Sequence, residues 1–414
     1  MVLRDDFIHT HKDDDVRSLA FTKMPEGVSH LWALRQIEGY QQAKKKLPRW
    51  AEAFNQGADI WFPPRLSMEQ CSSEATAKYK GRLTEGSLLI DLTGGFGVDF
   101  SYMAQSFGKA VYVERNEELC NIVRHNLPMQ GLPRAEVINA SCEEIIGDML
   151  SHPADWLNGS GGRTVFFIDP ARRDASGNKV FCIEDCEPDL SKLQDTLLDI
   201  GHTVIVKLSP MLDITQALRT LRNVGEVHVV SVKGECKELL FVMHREPPAT
   251  LTCHCVNLET EDEDFVMDIS GFKVSEFKSF RVPEFKSFKV SEFQGGAFLF
   301  EPNASIMKAG LQDAFAARYD LQKLHPNSNL FVGTDAIDSV PARQFQVVGI
   351  SDFSKTGLKT LLKDVKQANL TVRNFPSTTA ELRRRLKLKE GGSDYLFATT
   401  LLDGVHVLIR CVKA

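Results

Sequence analysis

Between Ser87 and His244 the chain alternates short apolar runs with helix-length amphipathic stretches, and few folds accept that rhythm. The runs Ser87–Asp91, Lys109–Val113, Glu136–Asn139, Thr164–Ile168, Thr203–Lys207, Glu226–Val232 and Lys237–His244 predict strands. Helical stretches lie between them, near Val98–Ser106, Asn116–Asn126, Cys142–Leu150, Asp189–Ile200 and Ile214–Asn223. Strands separated by helices pair in parallel, with the helices covering both faces of the sheet. The last two runs are joined only by Lys233-Gly234-Glu235-Cys236, too short for a parallel crossover. The expected sheet therefore has five or six parallel strands finished by an antiparallel hairpin.

The flanks read differently. Around Leu31–Ala53 and Met68–Leu83 apolar residues recur at three- and four-residue spacings, which predicts helices interrupted at Pro63-Pro64. Ser72 or Ser73 is placed to cap a helix running to about Arg82. Beyond Pro247-Pro248 an acidic run, Glu259–Asp264, precedes three near-identical octets beginning at Phe272, Phe280 and Phe288. Three copies are too few for a solenoid, so they read as a duplicated loop or hairpin without a catalytic role. A helix is expected from about Ser305 to Tyr319. Thereafter strands near Phe345–Ile350 and Leu370–Asn374 and a Leu396–Val412 hairpin alternate with helices near Lys355–Gln367 and Thr378–Leu386.

At 414 residues the chain is long enough for two to four domains. Apolar content of 43% and charged content of 25% exclude a fibre, a disordered chain and a membrane bundle. No run approaches the roughly 20 apolar residues of a bilayer span, and the first residues carry no apolar secretion signal. Nine cysteines without a regular framework fit a reducing, cytoplasmic location. Cys253-His254-Cys255 lacks a second ligand pair at finger spacing, so no metal is expected. The net charge of −6 hides an asymmetry. From Pro341 to the end there are 13 Lys/Arg against 6 Asp/Glu, a balance of +7 on a body of −13. A basic tail on an acidic body suits one region facing a polyanion.

The chemistry is concentrated in Leu88-Leu89-Ile90-Asp91-Leu92-Thr93-Gly94-Gly95-Phe96-Gly97-Val98-Asp99, where an apolar strand enters a glycine-rich turn that opens a helix. Glycines let the backbone approach a ligand, and a helix start offers unpaired N–H groups. Open α/β sheets bind nucleotides at this carboxyl rim. A dinucleotide fingerprint requires a third glycine where Phe100 stands. A phosphate-cradling loop requires Gly-Lys-Ser/Thr where Val98-Asp99 follow.

The acidic start Asp91-x-Thr93-x-Gly95-x-Gly97 resembles motif I of class I S-adenosylmethionine-dependent methyltransferases. Their cofactor carries no phosphate, so the loop needs no lysine. The resemblance implies that Asp91, Thr93, Gly94, Gly95 and Gly97 lie beside its methionine part. Glu114 ends the second strand, twenty-three residues after Asp91. A carboxylate there accepts both ribose hydroxyls. Ser141 or Cys142, after the third strand, substitutes for the acid that often contacts the adenine amine.

The fourth strand ends in Asp169-Pro170-Ala171-Arg172-Arg173. Amino-methylating members of the superfamily carry Asp/Asn-Pro-Pro-aromatic here, holding the target amine. Asp169 and Pro170 match; Ala171 and Arg172 depart, which removes the stacking aromatic and offers Arg172 or Arg173 to a substrate anion. A tight turn with a solvated arginine pair is the plain alternative. Ser209, after strand five, faces the same rim. No cysteine ends a strand there, which disfavours a cysteine nucleophile, since Cys182 and Cys186 lie in the loop after Arg173.

With Glu69-Gln70-Cys71-Ser72-Ser73-Glu74, Phe300-Glu301-Pro302-Asn303 and the basic run Leu382–Lys389, these motifs resemble an uncharacterised methyltransferase group with a C-terminal THUMP-like domain. The resemblance implies a Rossmann-like seven-stranded methyltransferase sheet with a helical N-terminal region and a small C-terminal α+β domain. The expected divisions are 1–80, 81–247, 248–335 and 336–414. THUMP domains proper bind structured RNA, so the implied substrate is a tRNA or rRNA base, gripped through Arg383, Arg384, Arg385, Lys387 and Lys389. The rivals are a protein or small-molecule methyltransferase and a catalytically silent S-adenosylmethionine- or RNA-binding protein. Gln70, Ser72 and Ser73 are expected near the cofactor.

Overall fold

The computed structural model describes residues 2–157, 162–171, 183–271 and 296–414. Arg172, Arg173, Cys182 and the octets of 272–293 lie outside the described residues. The chain divides into two compact units, Met1–Val227 with Glu238–Leu251, and His228–Lys237 with Thr252–Ala414.

The first unit opens with helices α1 (Val2–His11), α2 (Val16–Leu19), α3 (His30–Lys46), α4 (Pro48–Asn55), α5 (Arg65–Gln70) and α6 (Glu74–Lys80). The expected Leu31–Ala53 helix is two helices. Pro48 lacks the N–H that α3 would need to continue, and opens α4, where that N–H is dispensable. The Met68–Leu83 stretch also divides: Cys71 is extended, and Ser73 Oγ caps α6 by accepting the Thr76 N–H at 3.3 Å. The apolar faces of these helices bury Ile37, Tyr40, Trp50, Phe54, Phe62 and Met68 together with Phe96, Val98 and Ile122 from the sheet region. Trp50 meets Phe96 edge-on at 5.1 Å, which anchors the helices on the glycine-rich turn itself.

Next come β1 (Gly86–Asp91), α7 (Val98–Met103), β2 (Phe107–Glu114), α8 (Glu117–Asn126), β3 (Glu136–Asn139), α9 (Cys142–Ser151), α10 (Pro153–Leu157), β4 (Thr164–Ile168), α11 (Leu190–Ile200), β5 (Thr203–Leu208), α12 (Ile214–Thr220), β6 (Val224–Val232) and β7 (Glu235–His244). These strands lie in the order β3-β2-β1-β4-β5-β7-β6 within a nine-stranded sheet, two strands more than the seven expected. The first five are parallel, and β7 runs antiparallel to β5 with Lys207 opposite Leu240. Lys233 and Gly234 both take positive φ between β6 and β7, the two-residue turn that suits twisted strands. Because β1 pairs with both β2 and β4, the chain reverses direction across the sheet at Asp91. The carboxyl ends of β1, β2, β4 and β5 share that rim.

The second unit contains the hairpin tip, then β8 (Thr252–Leu258), β9 (Phe265–Asp268), β10 (Phe298–Pro302), α13 (Ala304–Ala309), α14 (Gln312–Arg318), β11 (Gln322–Lys323), β12 (Phe331–Gly333), β13 (Ala342–Asp352), α15 (Lys355–Leu361), β14 (Asn369–Val372), α16 (Thr379–Leu386), β15 (Asp394–Thr400) and β16 (His406–Lys413). A sheet ordered β11-β12-β10-β13-β16-β15-β14 joins the tail strands to β10. The helix expected over Ser305–Tyr319 is broken at Gly310, whose φ of 74° ends α13. Glu301 is buried between Arg343 and Arg373, whose Nε atoms lie 2.9 and 2.8 Å from its carboxylate. No helix among the described residues is long and apolar enough to cross a membrane.

Candidate active site

The turn after β1 is built by its glycines. Gly95 and Gly97 have φ of 56° and 75°, a region that side chains other than glycine's enter at a cost. At Gly94 a Cβ would stand 2.0 Å from the Tyr112 ring, so only glycine fits between turn and strand. The turn is closed by Gly97 N–H to Gly94 O at 2.8 Å and tied to β2 by Gly94 N–H to Val113 O at 2.9 Å. Tyr112 O–H donates to Gly95 O.

Two carboxyls frame this cradle. Asp91 is buried beneath it and accepts the Thr93 N–H at 3.0 Å. Burial pushes its ionisation well above the usual carboxylate range, and that hydrogen bond offsets only part of the effect. Glu114 is half-buried. It accepts Gly95 N–H at 2.9 Å on one oxygen and Asn116 N–H at 2.8 Å on the other. A carboxylate has about four acceptor positions, so Glu114 retains capacity for a ribose diol while holding the turn. The turn fits S-adenosylmethionine: Glu114 keeps acceptor positions for the sugar, and residues 91–99 carry no lysine or arginine of the kind that meets a phosphate.

Asp169 sits at the end of β4, and its N–H donates to Thr93 Oγ1 at 2.6 Å, coupling it to the glycine turn. Its Oδ2 accepts Lys207 Nζ at 2.6 Å. Lys207 also lies 3.3 Å from Asp99 Oδ2, to which Ser72 Oγ donates at 2.7 Å. Asp99 Oδ1 is 3.1 Å from Lys80 Nζ, which donates to Glu238 Oε1 at 2.5 Å. Lys80 is wholly buried, and the Lys207 side chain is 12% exposed against 38% for Asp169. The chain of charges therefore runs from the interior to the rim. Burial opposes the Lys207 charge, but Asp169 and Asp99 hold it well above the ordinary ammonium range. Burial likewise opposes the Asp99 charge, and the two lysines overcome it. Burial raises Glu238 instead, against the opposing pull of Lys80 and Lys207.

Other expected residues are placed as follows. Ser141 caps α9, accepting Glu144 N–H at 3.2 Å while the Glu144 carboxylate accepts Ser141 N–H. Cys142 is buried, its thiol pushed up to about 12 by burial; burial lifts Cys71 to about 11. Pro170 is buried, and Ala171 exchanges backbone hydrogen bonds with Glu187. Ser209 Oγ accepts Met211 N–H at 3.2 Å, shaping the turn after β5, so Lys207 is the β5 residue joined to Asp169. Ser72 reaches Asp99, Ser73 is spent as a cap and Gln70 is exposed. In the second unit Arg384, Arg385, Lys387 and Lys389 are exposed. Arg383 turns to Glu390 at 2.7 Å, and the Arg385 guanidinium lies over Phe353. Sequence reading missed Lys80, Asp99, Lys207 and Glu238 as a group. For Lys207 the signal was a charge inside an apolar run, Thr203-Val204-Ile205-Val206-Lys207-Leu208.

Comparison with known proteins agrees with this fold. A crystal structure from Porphyromonas gingivalis W83, described provisionally as a methyltransferase, superposes with a TM-score of 0.82. It is 32% identical, the match covering 99% of this chain and 97% of that one. Two Mycobacterium tuberculosis proteins, from strains CDC 1551 / Oshkosh and H37Rv, are 25% identical over 341 residues, 81% of this chain and 83% of theirs. Both are called uncharacterised S-adenosylmethionine-dependent methyltransferases. Residues 342–413 match a family described as THUMP domain-like, and 298–341 one described as a ferredoxin-like domain. Fold and site thus define a class I methyltransferase whose cofactor is S-adenosylmethionine. The chain belongs to the methyltransferase family that carries a C-terminal THUMP-like domain.

Proposed function

We propose that this enzyme methylates RNA. The observation that carries the reading is the exposed basic end of α16: Arg384, Arg385, Lys387 and Lys389 lie within the THUMP domain-like segment and face solvent. Such a surface binds phosphates, with affinity falling steeply as salt rises. In the first unit, Asp91, Thr93, Gly94, Gly95 and Gly97 cradle the methionine part of the cofactor and Glu114 its ribose, with Ser141 or Cys142 toward the adenine. When bound, S-adenosylmethionine supplies a methyl group on a positively charged sulfur. Asp169, Pro170 and Ser209 form the rim over which the acceptor is delivered, and Arg172 is assigned to a substrate anion. Asp169 accepts the acceptor's proton-bearing edge and sets the in-line approach, from which much of the acceleration comes.

The test pairs calorimetry against S-adenosylmethionine and NAD with labelled-methyl transfer to total RNA from cells lacking the enzyme. S-adenosylmethionine binds and RNA becomes labelled; label in protein or metabolites with none in RNA refutes the proposal. Asp169→Ala abolishes transfer while leaving cofactor affinity nearly intact. An unchanged rate in that variant removes Asp169 from the mechanism.

A further inference from the structure

We infer that the methyl acceptor is a hydroxyl, the ribose 2′-OH of RNA, and that Lys207, held by Asp99 and Lys80, positions Asp169 to receive its proton. This rests on the RNA reading above and narrows it to an atom.

The argument starts from what Asp169 has left to offer. Its Oδ2 is occupied by the Lys207 ammonium at 2.6 Å, a short charge-assisted bond, so one carboxylate oxygen remains beside one cation. A neutral amine accepting a methyl group builds positive charge on nitrogen in the transition state, which an adjacent ammonium opposes. A hydroxyl giving up its proton builds negative charge on oxygen, which the same ammonium stabilises. A carboxylate with a fixed cation beside it therefore suits an alcohol. In an internal RNA nucleotide the free sugar hydroxyl is the 2′-OH.

The surroundings keep this pair in place. Lys207 is gripped from behind by Asp99 at 3.3 Å, and Asp99 by Ser72 at 2.7 Å and Lys80 at 3.1 Å. Lys80 is in turn pinned by Glu238 at 2.5 Å. Only Asp169, at the outer end, is substantially exposed, and so it alone can pass a proton on to water. In the step, the 2′-oxygen forms a bond to the methyl carbon as the carbon–sulfur bond breaks. The electron pair goes to sulfur, leaving a neutral thioether, and the hydroxyl proton moves to Asp169 and then to solvent. Asp169 touches the acceptor; Lys207 acts through it and is a positioning residue.

The deciding experiment labels total RNA from cells lacking the enzyme and hydrolyses it in alkali, which cleaves only beside a free 2′-OH. Label in alkali-resistant dinucleotides is the expected result. Label in mononucleotides overturns the hydroxyl assignment while leaving RNA methylation standing, and no label in RNA overturns both. This assay uses the unaltered protein, so it does not depend on a variant folding. Lys207→Met is further expected to lower kcat on the order of 100-fold, with KM and cofactor affinity little changed. Lys207→Arg, which keeps the charge, restores part of the rate. An unchanged kcat in Lys207→Met refutes the positioning role.

Discussion

At the scale of single residues, Asp91 shows how a binding site is held against folding. Its buried carboxyl ionises only well above the usual range, because burial removes the water that would solvate the charge. The sign for stability follows from linkage. Below the ordinary aspartate value, folded and unfolded chains are both protonated. Above it the unfolded chain releases its proton first, so stability falls as pH rises until the folded carboxyl ionises too. Asp91→Asn removes this slope. The unliganded variant should melt higher than the wild type at pH 8, with the difference shrinking toward pH 4. Its affinity for S-adenosylmethionine should drop at least about tenfold, the equivalent of one charge-assisted hydrogen bond. Thermal melting across pH and calorimetry check both halves. The sequence singles out Asp91 because it ends an apolar run before the glycine turn, and Glu114 because it ends the next run twenty-three residues later. Lys207 was not legible as a partner of Asp169, 38 positions earlier, since nothing in the stretch between them says that β4 and β5 are neighbours.

Elements are decided by short-range geometry, and the strand–turn–helix of β1, its glycines and α7 is the clearest case. Gly94→Ala places a methyl 2.0 Å from Tyr112, a buried ring donating its O–H to Gly95 O and unable to retreat. Overpacking of that severity should cost at least about 3 kcal/mol, visible as a large fall in melting temperature together with lost cofactor binding. Helix lengths were less legible than strand positions. Periodicity in Leu31–Ala53 and Ser305–Tyr319 is continuous enough to suggest single helices, yet one missing N–H at Pro48 and one positive φ at Gly310 divide them. Strands on a doubly covered sheet tolerate few such interruptions, which is why the seven runs from Ser87 to His244 fell so near their observed bounds.

For the whole molecule, the glycine cradle with Asp169 belongs to the first unit and the basic end of α16 to the second, so the proposed chemistry and the proposed RNA grip fall in separate units. Removing Arg384, Lys387 and Lys389 together, each changed to Gln, should weaken RNA binding at low salt. It should also reduce the slope of log affinity against log salt by about 0.7 to 0.9 for each phosphate that is no longer neutralised. Affinity for S-adenosylmethionine should not move. Fluorescence anisotropy over a salt series measures the slope, and an unchanged slope would place the RNA surface elsewhere.

The amino-acid sequence by itself determined the parallel sheet, its closing hairpin, the glycine cradle and the two acids beside it. Each is encoded in contiguous residues, through side-chain alternation, allowed φ and local hydrogen bonds. Only tertiary structure decided that Ser72, Lys80, Asp99, Asp169, Lys207 and Glu238 form one line of charge and hydrogen bonds. Its longer links span 27, 38, 108 and 158 positions. Isolated charges in apolar runs become partners only when strand order brings their side chains within a few ångströms, in an interior where unpaired charge is too costly to persist.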